Sequence, residues 1–267
     1  MPTAQSGFFK WVWYFIQTFG PMFLRGAGTT LLIALTGTLV GFLIGLGVGV
    51  VRTMPCRKED GRVRYALMKL TRGILSAYIE IFRSTPMIVQ AMVIYYGCAQ
   101  ALHINLPQLL AGFVIVSINT GAYLSEIMRG GIQSVDPGQR EAAAAIGMTH
   151  GQTMLHVVLP QAVRNILPAL GNEFVVNIKD TSVLNVISVT ELYFASKSAA
   201  GVYYKYFEIF FLTCVIYFIM TFTASRLLRW VEGKMVGPKD YQLVTYDPMM
   251  DPCGAVPLPT KKQKGRY

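Results

Sequence analysis

From Gly28 to Val51 the chain runs without a single charged side chain, and Gly37, Gly41, Gly45 and Gly49 recur inside that run at every fourth position. About 24 such residues are enough to cross the roughly 30 Å hydrocarbon core of a bilayer with some tilt. Lipid cannot satisfy backbone polar groups, so a segment of this kind is helical. On a helix the four glycines share one stripe, and a glycine stripe lets a second backbone approach closely in lipid. The stripe alone leaves open whether that second helix is in the same subunit.

Composition extends the conclusion to the whole chain. With 53% hydrophobic residues, 14% charged residues and a mean hydropathy of +0.43, a soluble domain is excluded. A chain of 267 residues holds about five or six spanning helices with their loops. The net charge of +10 would suit nucleic acid. The basic residues, however, fall in blocks between apolar runs, the distribution of cytoplasmic loops, so no nucleic-acid partner is expected. Cys56, Cys98, Cys214 and Cys253 form no Cys-x-x-Cys, and His103, His150 and His156 are scattered, so no metal site is expected.

Residues 1–25 carry Phe8, Phe9, Trp11, Trp13, Tyr14, Phe15 and Phe19 and read as an aromatic helix lying at the membrane interface. After the first span, Arg52, Arg57, Lys58, Arg62, Arg64, Lys69 and Arg72 face only Glu59 and Asp60. That block orients the first span from outside to cytoplasm, with the N-terminus outside. The second span lies within 73–102, with a break expected at Thr85-Pro86 because proline lacks an N–H and disfavours helix in the residue before it. Glu80 and Arg83 sit three apart there and are expected to pair. The third span, Leu109 to Met128, has Glu126 three residues from Arg129, a second expected structural pair.

Ile166 to Leu192 mixes apolar runs with Asn172, Glu173, Asn177, Lys179, Asp180, Thr181 and Ser182. Ionisable groups at membrane depth are tolerated when paired or lining a wet cavity. The segment therefore reads as a partly broken fourth span, with Asp180, Glu173, Asn177 and Ser182 as substrate-pathway candidates. Ser196 to Lys205 reads as a short outer loop and Tyr206 to Leu228 as the last span. Residues 231–267 are polar, Pro-rich and end in a Lys/Arg cluster, the composition of a mobile cytoplasmic tail. The fold class is thus all-α, polytopic, with about five transmembrane helices.

One polar island interrupts the oily text, Arg129 to Pro160. Asp136-Pro137-Gly138 reads as a turn, Gln139 to Ile146 as an Ala-rich helix, Gly147 as its stop, and Thr149 to Val158 as a second short helix bounded by Pro160. The product is a helix–turn–helix knuckle with a smooth alanine face, a shape suited to a groove on a partner protein.

The spacing Glu141-Ala142-Ala143, three residues, Gly147, nine residues, then an aliphatic residue, one residue and Leu159-Pro160 resembles the coupling loop of ABC importer permeases. Glu80-Ile-Phe-Arg83-Ser84-Thr85-Pro86, Tyr123-Leu-Ser-Glu126-Ile-Met-Arg129-Gly-Gly-Ile, Pro160-Gln161 and Lys179-Asp180-Thr181-Ser182 resemble the polar amino-acid branch. The likeness covers roughly 26–230; Ser84 stands where glycine is commoner, and Val183 where leucine is usual. It implies the type I importer permease fold and a bacterial inner-membrane location. Gln139, Arg140, Glu141, Ala142, Ala143 and Gly147 would then couple to an ATPase. The implied partners are two ATP-binding subunits, a second permease copy or homologue, an extracytoplasmic solute-binding protein and an amino-acid substrate, within a lipid bilayer.

The chain has no Gly-x-x-x-x-Gly-Lys-Ser/Thr loop, His-Glu-x-x-His or Gly-x-Ser-x-Gly. It is therefore expected to be non-catalytic and to bind no cofactor itself, ATP and Mg2+ residing on the partner ATPase. An ion-coupled secondary transporter or a membrane enzyme with no ATPase partner is the alternative reading.

Overall fold

The structure, a computed structural model, describes residues 7–54 and 61–236, and among them every regular element is helical. In chain order these are α1 (Phe8–Thr53), α2 (Arg62–Ser84), α3 (Met87–Ala101), α4 (Gln108–Gln133), α5 (Pro137–Ala145) and α6 (His150–Thr153). A wide π turn (Met154–Val158), α7 (Leu159–Asp180), a 3-10 turn (Thr181–Ile187), α8 (Leu192–Tyr203) and α9 (Tyr206–Val236) follow.

α1 and α4 form the spine, and the glycine stripe is the reason. A Cβ on Gly45 would stand 2.8 Å from the backbone carbon of Leu124, and one on Gly41 would stand 2.8 Å from the Thr120 side chain. Gly49 meets Met128 in the same way and Gly37 meets Val116. Only hydrogen fits at this seam, so the helix that the stripe receives is α4 of the same chain. Thr38 and Asn177 reinforce it: Asn177 Nδ2 donates to Thr38 Oγ1 at 2.9 Å and Thr120 Oγ1 donates to Asn177 Oδ1 at 3.1 Å. One amide thus ties α1, α4 and α7 together where no water competes.

The aromatic segment is no separate interfacial helix. Residues 8–25 are continuous with the first span in the 46-residue α1, the expected boundary at residue 25 falling inside it. Trp11, Phe15 and Phe23 are buried against Leu192, Ala195, Ala199 and Ala200 of α8 and Ile209 and Leu212 of α9, while Phe9 and Trp13 are exposed. The outer loop expected at 196–205 is largely helix α8. Its N-terminus is capped by Glu191, whose carboxylate accepts from Tyr193 N at 2.8 Å and Phe194 N at 2.6 Å.

Among the described residues three helices are long and apolar enough to cross a membrane: Phe8–Thr53, Gln108–Gln133 and Tyr206–Lys234. The second and fourth expected crossings are both interrupted, as the prolines and polar residues indicated. The break at Thr85-Pro86 separates α2 from the 15-residue α3. Gln90 repairs it by donating Nε2 to Phe82 O and Thr85 O, each at 2.9 Å, and accepting at Oε1 from Asn119 Nδ2 at 2.8 Å. These contacts satisfy carbonyls that the broken helix leaves open. The fourth segment ends its α-helix at Asp180 and tightens into the 3-10 turn, closed by Ser188 in the left-handed region (φ 62°). Residues 231–236 continue α9, and the rest of the expected tail, 237–267, lies outside the described residues.

Candidate functional site

The polar island folds into an elbow of two short helices between α4 and α7. α5 starts at Pro137, two residues before the expected Gln139, so the expected turn is the helix's first turn: the Asp136 carboxylate accepts from Gly138 N at 2.7 Å and Pro137 sits where its missing N–H is harmless. It ends at Gly147, which adopts φ 81°. Gly147 N donates to Ala144 O and Met148 N to Ala143 O, each at 3.0 Å, closing the helix with a left-handed cap. Thr149 and Gln152 then form a reciprocal capping box at the start of α6.

Pro160 was expected to bound the second short helix. Instead the helical track is unbroken from His150 to Asp180. The π turn at Met154–Val158 widens the coil immediately before Pro160, which makes room for a ring that would otherwise clash with the carbonyl four residues back.

The elbow is fixed to the bundle by one face only. Ala143 is buried, and Met154, Val158 and Ala162 pack with Met128, Ile132 and Val135. The Arg140 guanidinium donates to Ile132 O, and Asn165 Nδ2 donates to Ser134 Oγ at 3.0 Å. Gln139, Glu141, Ala142 and Ala145 are exposed, and so are Ile146 and Leu155, at 79% and 62%.

Above the elbow, Glu126 and Arg129 pair as expected, Nη2 to Oε2 at 2.9 Å. The sequence reading missed a third member, Arg52 at the end of α1, which pairs with the other oxygen of Glu126. Its partner is 74 positions away, and no short-range spacing reports it. Glu80 and Arg83 do not pair. Glu80 accepts from Ser84 Oγ at 3.4 Å, and Arg83 lies over the Tyr123 ring, 5.7 Å from its centre.

The four pathway candidates separate. Asn177 is 3% exposed and spent on Thr38 and Thr120 inside the chain, which makes it a bridge between helices instead of a pathway group. Asp180 is exposed and Glu173 half-buried, seven positions apart and thus on one face of α7; neither has an ion-pair partner among the described residues. Ser182 sits half-buried in the 3-10 turn, its carbonyl accepting from Asn185 Nδ2 at 2.8 Å. Glu191, not singled out from sequence, is fully buried and also receives Tyr217 Oη at 3.1 Å and Thr30 Oγ1 at 3.5 Å. Its only sequence signal was a carboxylate standing immediately before an apolar helical run.

Among the described residues no group of His, Cys, Asp and Glu is placed to hold a metal ion. What the arrangement offers is mechanical: an exposed knuckle joined to both spine and α7, and a carboxylate-bearing face further along α7.

Comparison with known proteins agrees with this geometry. Residues 63–237 match the family model described as binding-protein-dependent transport system inner membrane component. The glutamine transport system permease protein GlnP of Escherichia coli (strain K12) is 35% identical over 216 residues, covering 80% of this chain and 93% of that protein. The arginine transport system permease protein ArtQ of Bacillus subtilis (strain 168) is 31% identical over 215 residues, with the same coverage of 80% and 93%. A solved structure of an amino acid ABC transporter with histidines superposes with a TM-score of 0.71 at 38% identity, covering 86% of this chain and 99% of that one. A family match across most of the bundle, on a helical fold carrying this elbow, leaves one conclusion: the chain belongs to the binding-protein-dependent transport system inner membrane component family and is a multi-pass permease subunit of an ABC importer.

Proposed function

We propose that this permease carries polar amino acids across a bacterial inner membrane, driven by ATP hydrolysis on separate subunits. Two permease chains, identical or homologous, enclose the pathway; two ATP-binding subunits grip the elbows at 129–160; an extracytoplasmic solute-binding protein delivers the substrate. ATP and Mg2+ sit on the ATPase. The N-terminus is outside and the elbow cytoplasmic, on the strength of the basic block at 52–72 and of Arg129, Arg140 and Arg164 around the elbow.

The observation that carries this reading is the exposed surface of the elbow. Ile146 and Leu155 are large apolar side chains left strongly exposed on an elbow that also exposes Ala142, Ala145 and Glu141, and a protein contact is the reading that covers them. Amino acids as cargo are supported by the names of the relatives, a glutamine and an arginine permease among them. A zwitterionic solute needs both charges answered at membrane depth. Asp180 and Glu173, exposed and half-buried on one face of α7, are proposed as the groups that meet its ammonium.

ATP binding draws the two elbows together, the motion passes through α4 and α7, and the pathway opens outward; hydrolysis resets it. The test is purification followed by uptake in proteoliposomes. The chain is expected to bring an ATPase subunit with it and to move amino acids only with ATP present, with acidic, basic and neutral amino acids compared as competitors. Uptake by the chain alone, with no ATPase in the preparation, would overturn the proposal.

A further inference from the structure

Behind the elbow lies a cavity of about 530 Å³. Four arginines from four elements enter its lining, Arg52 of α1, Arg72 of α2, Arg129 of α4 and Arg140 of α5, alongside His150 and an apolar remainder that includes Ile132, Met148 and Met154. Among the described residues one carboxylate answers them. Glu126 takes both Arg52 and Arg129. Among the described residues Arg72 and Arg140 meet carbonyl oxygens, Met54 O and Ile132 O. The Arg72 Nε is buried with no hydrogen-bond partner among the described residues.

Among the described residues, four guanidiniums against one carboxylate leave an excess of three positive charges around this volume. Carbonyl dipoles satisfy N–H groups but cannot cancel charge, and like charges brought together out of bulk water repel. A group that supplies several anionic oxygens in a compact, tetrahedral form relieves both deficits, because planar guanidinium forks match phosphate oxygens two at a time. We infer that this cavity binds a phosphate-bearing anion, with Arg72 and Arg140 as its two principal ligands and Arg52 and Arg129 held alongside by Glu126.

The same chemistry comes from two sources, a phospholipid headgroup or soluble phosphate. The experiment separates them. Because the cavity is walled by the end of α1, the end of α4 and the elbow, an anion bound there also cements the elbow to the spine. This inference stands on the cavity and its arginines and does not depend on which solute is carried.

The experiment uses the permease purified with whatever ATPase subunit accompanies it, in nanodiscs of phosphatidylcholine with or without phosphatidylglycerol. Lipid retained after transfer to detergent is quantified by native mass spectrometry, and inorganic phosphate is added as competitor. Wild type is expected to retain phosphatidylglycerol over phosphatidylcholine. Arg72→Gln should weaken that retention about tenfold or more, the scale of one lost hydrogen bond between charged groups. Arg72→Lys should restore part of it, keeping charge but not the fork. Protection of Arg72 from an arginine-specific reagent by inorganic phosphate, without lipid retention, would assign the site to soluble phosphate and support the inference in its general form. Glu59 and Asp60, outside the described residues, are the chain's own competing carboxylates. Anion binding seen only in E59Q/D60N overturns the proposal, and so does equal retention of both lipids with no protection by phosphate. Monodisperse elution of Arg72→Gln with its partner subunit shows that a loss is local.

Discussion

Arg52 at the end of α1 and Glu126 on α4 form an ion pair that closes the seam begun by the glycine stripe, and Arg129 grips the other oxygen of the same carboxylate. Each of the two bonded groups is 21% exposed, so the pair is shielded from solvent without being sealed from it. Glu126→Gln keeps the shape and removes the charge, leaving Arg52 and Arg129 facing each other. The expected loss is about 1.5–3 kcal/mol, the range for hydrogen bonds to charged groups. Detergent-solubilised protein should melt several degrees lower, with the gap to wild type narrowing as salt rises.

The spine makes a sharper prediction, because two neighbouring glycines differ completely. A Cβ at Gly45 meets Leu124 backbone at 2.8 Å, whereas one at Gly47 meets nothing within 4 Å. Gly47→Ala should be neutral or stabilising by about 0.5–1 kcal/mol, the ordinary gain for alanine in a helix. Gly45→Ala must push α1 from α4 and should lower the melting temperature clearly. Equal melting temperatures for the two variants would refute close packing of α1 on α4.

Gln90 and Asn119 provide a test of the broken second crossing. Their side chains bond at 2.8 Å, and Gln90 also serves Phe82 O and Thr85 O. Single replacements by alanine and the double replacement should be non-additive, with a coupling of about 0.5–3 kcal/mol by double-mutant cycle. Gln90→Ala should be the worse single change, since it strands two carbonyls where Asn119→Ala strands one amide oxygen.

At the elbow, Gly147 has φ 81° and open space where a Cβ would go. Substitution there acts through the backbone and through the exposed surface, not through core packing. Gly147→Asn, tolerant of the left-handed region, should keep most transport; Gly147→Val should reduce it strongly while leaving membrane insertion intact. ATP hydrolysis by the partner subunit and amino-acid uptake, measured in the same proteoliposomes, should separate in Gly147→Val. Uptake equal to wild type in that variant would count against the elbow as the coupling element.

How far the sequence carried the reading depended on the range of each signal. Local chemistry was legible: Pro86 broke its helix, Asp136 and Gly147 bounded α5, and glycines in register announced a close neighbour. Long-range partners were not. Arg52 meets Glu126 across 74 positions, while Glu80 and Arg83, ideally spaced for a pair, each found something better nearby. Asn177 looked like a pathway group because polarity at membrane depth has two uses, and only the positions of Thr38 and Thr120 decide between them. The aromatic N-terminus misled for a related reason: Trp and Phe suit an interface and a helix seam equally well, and α8, the element that buries them, resembled a loop.

The π turn before Pro160 has a consequence for timing as well as shape. Since no flexible link intervenes between Thr149 and Asp180, a nudge to the knuckle reaches the far tip of α7, about 45 Å away by helical rise, with no slack to be taken up first. The rod can yield at two places, the widened coil at 154–158 and the turn around Pro168, so whether the shove arrives as a tilt or as a twist is decided there.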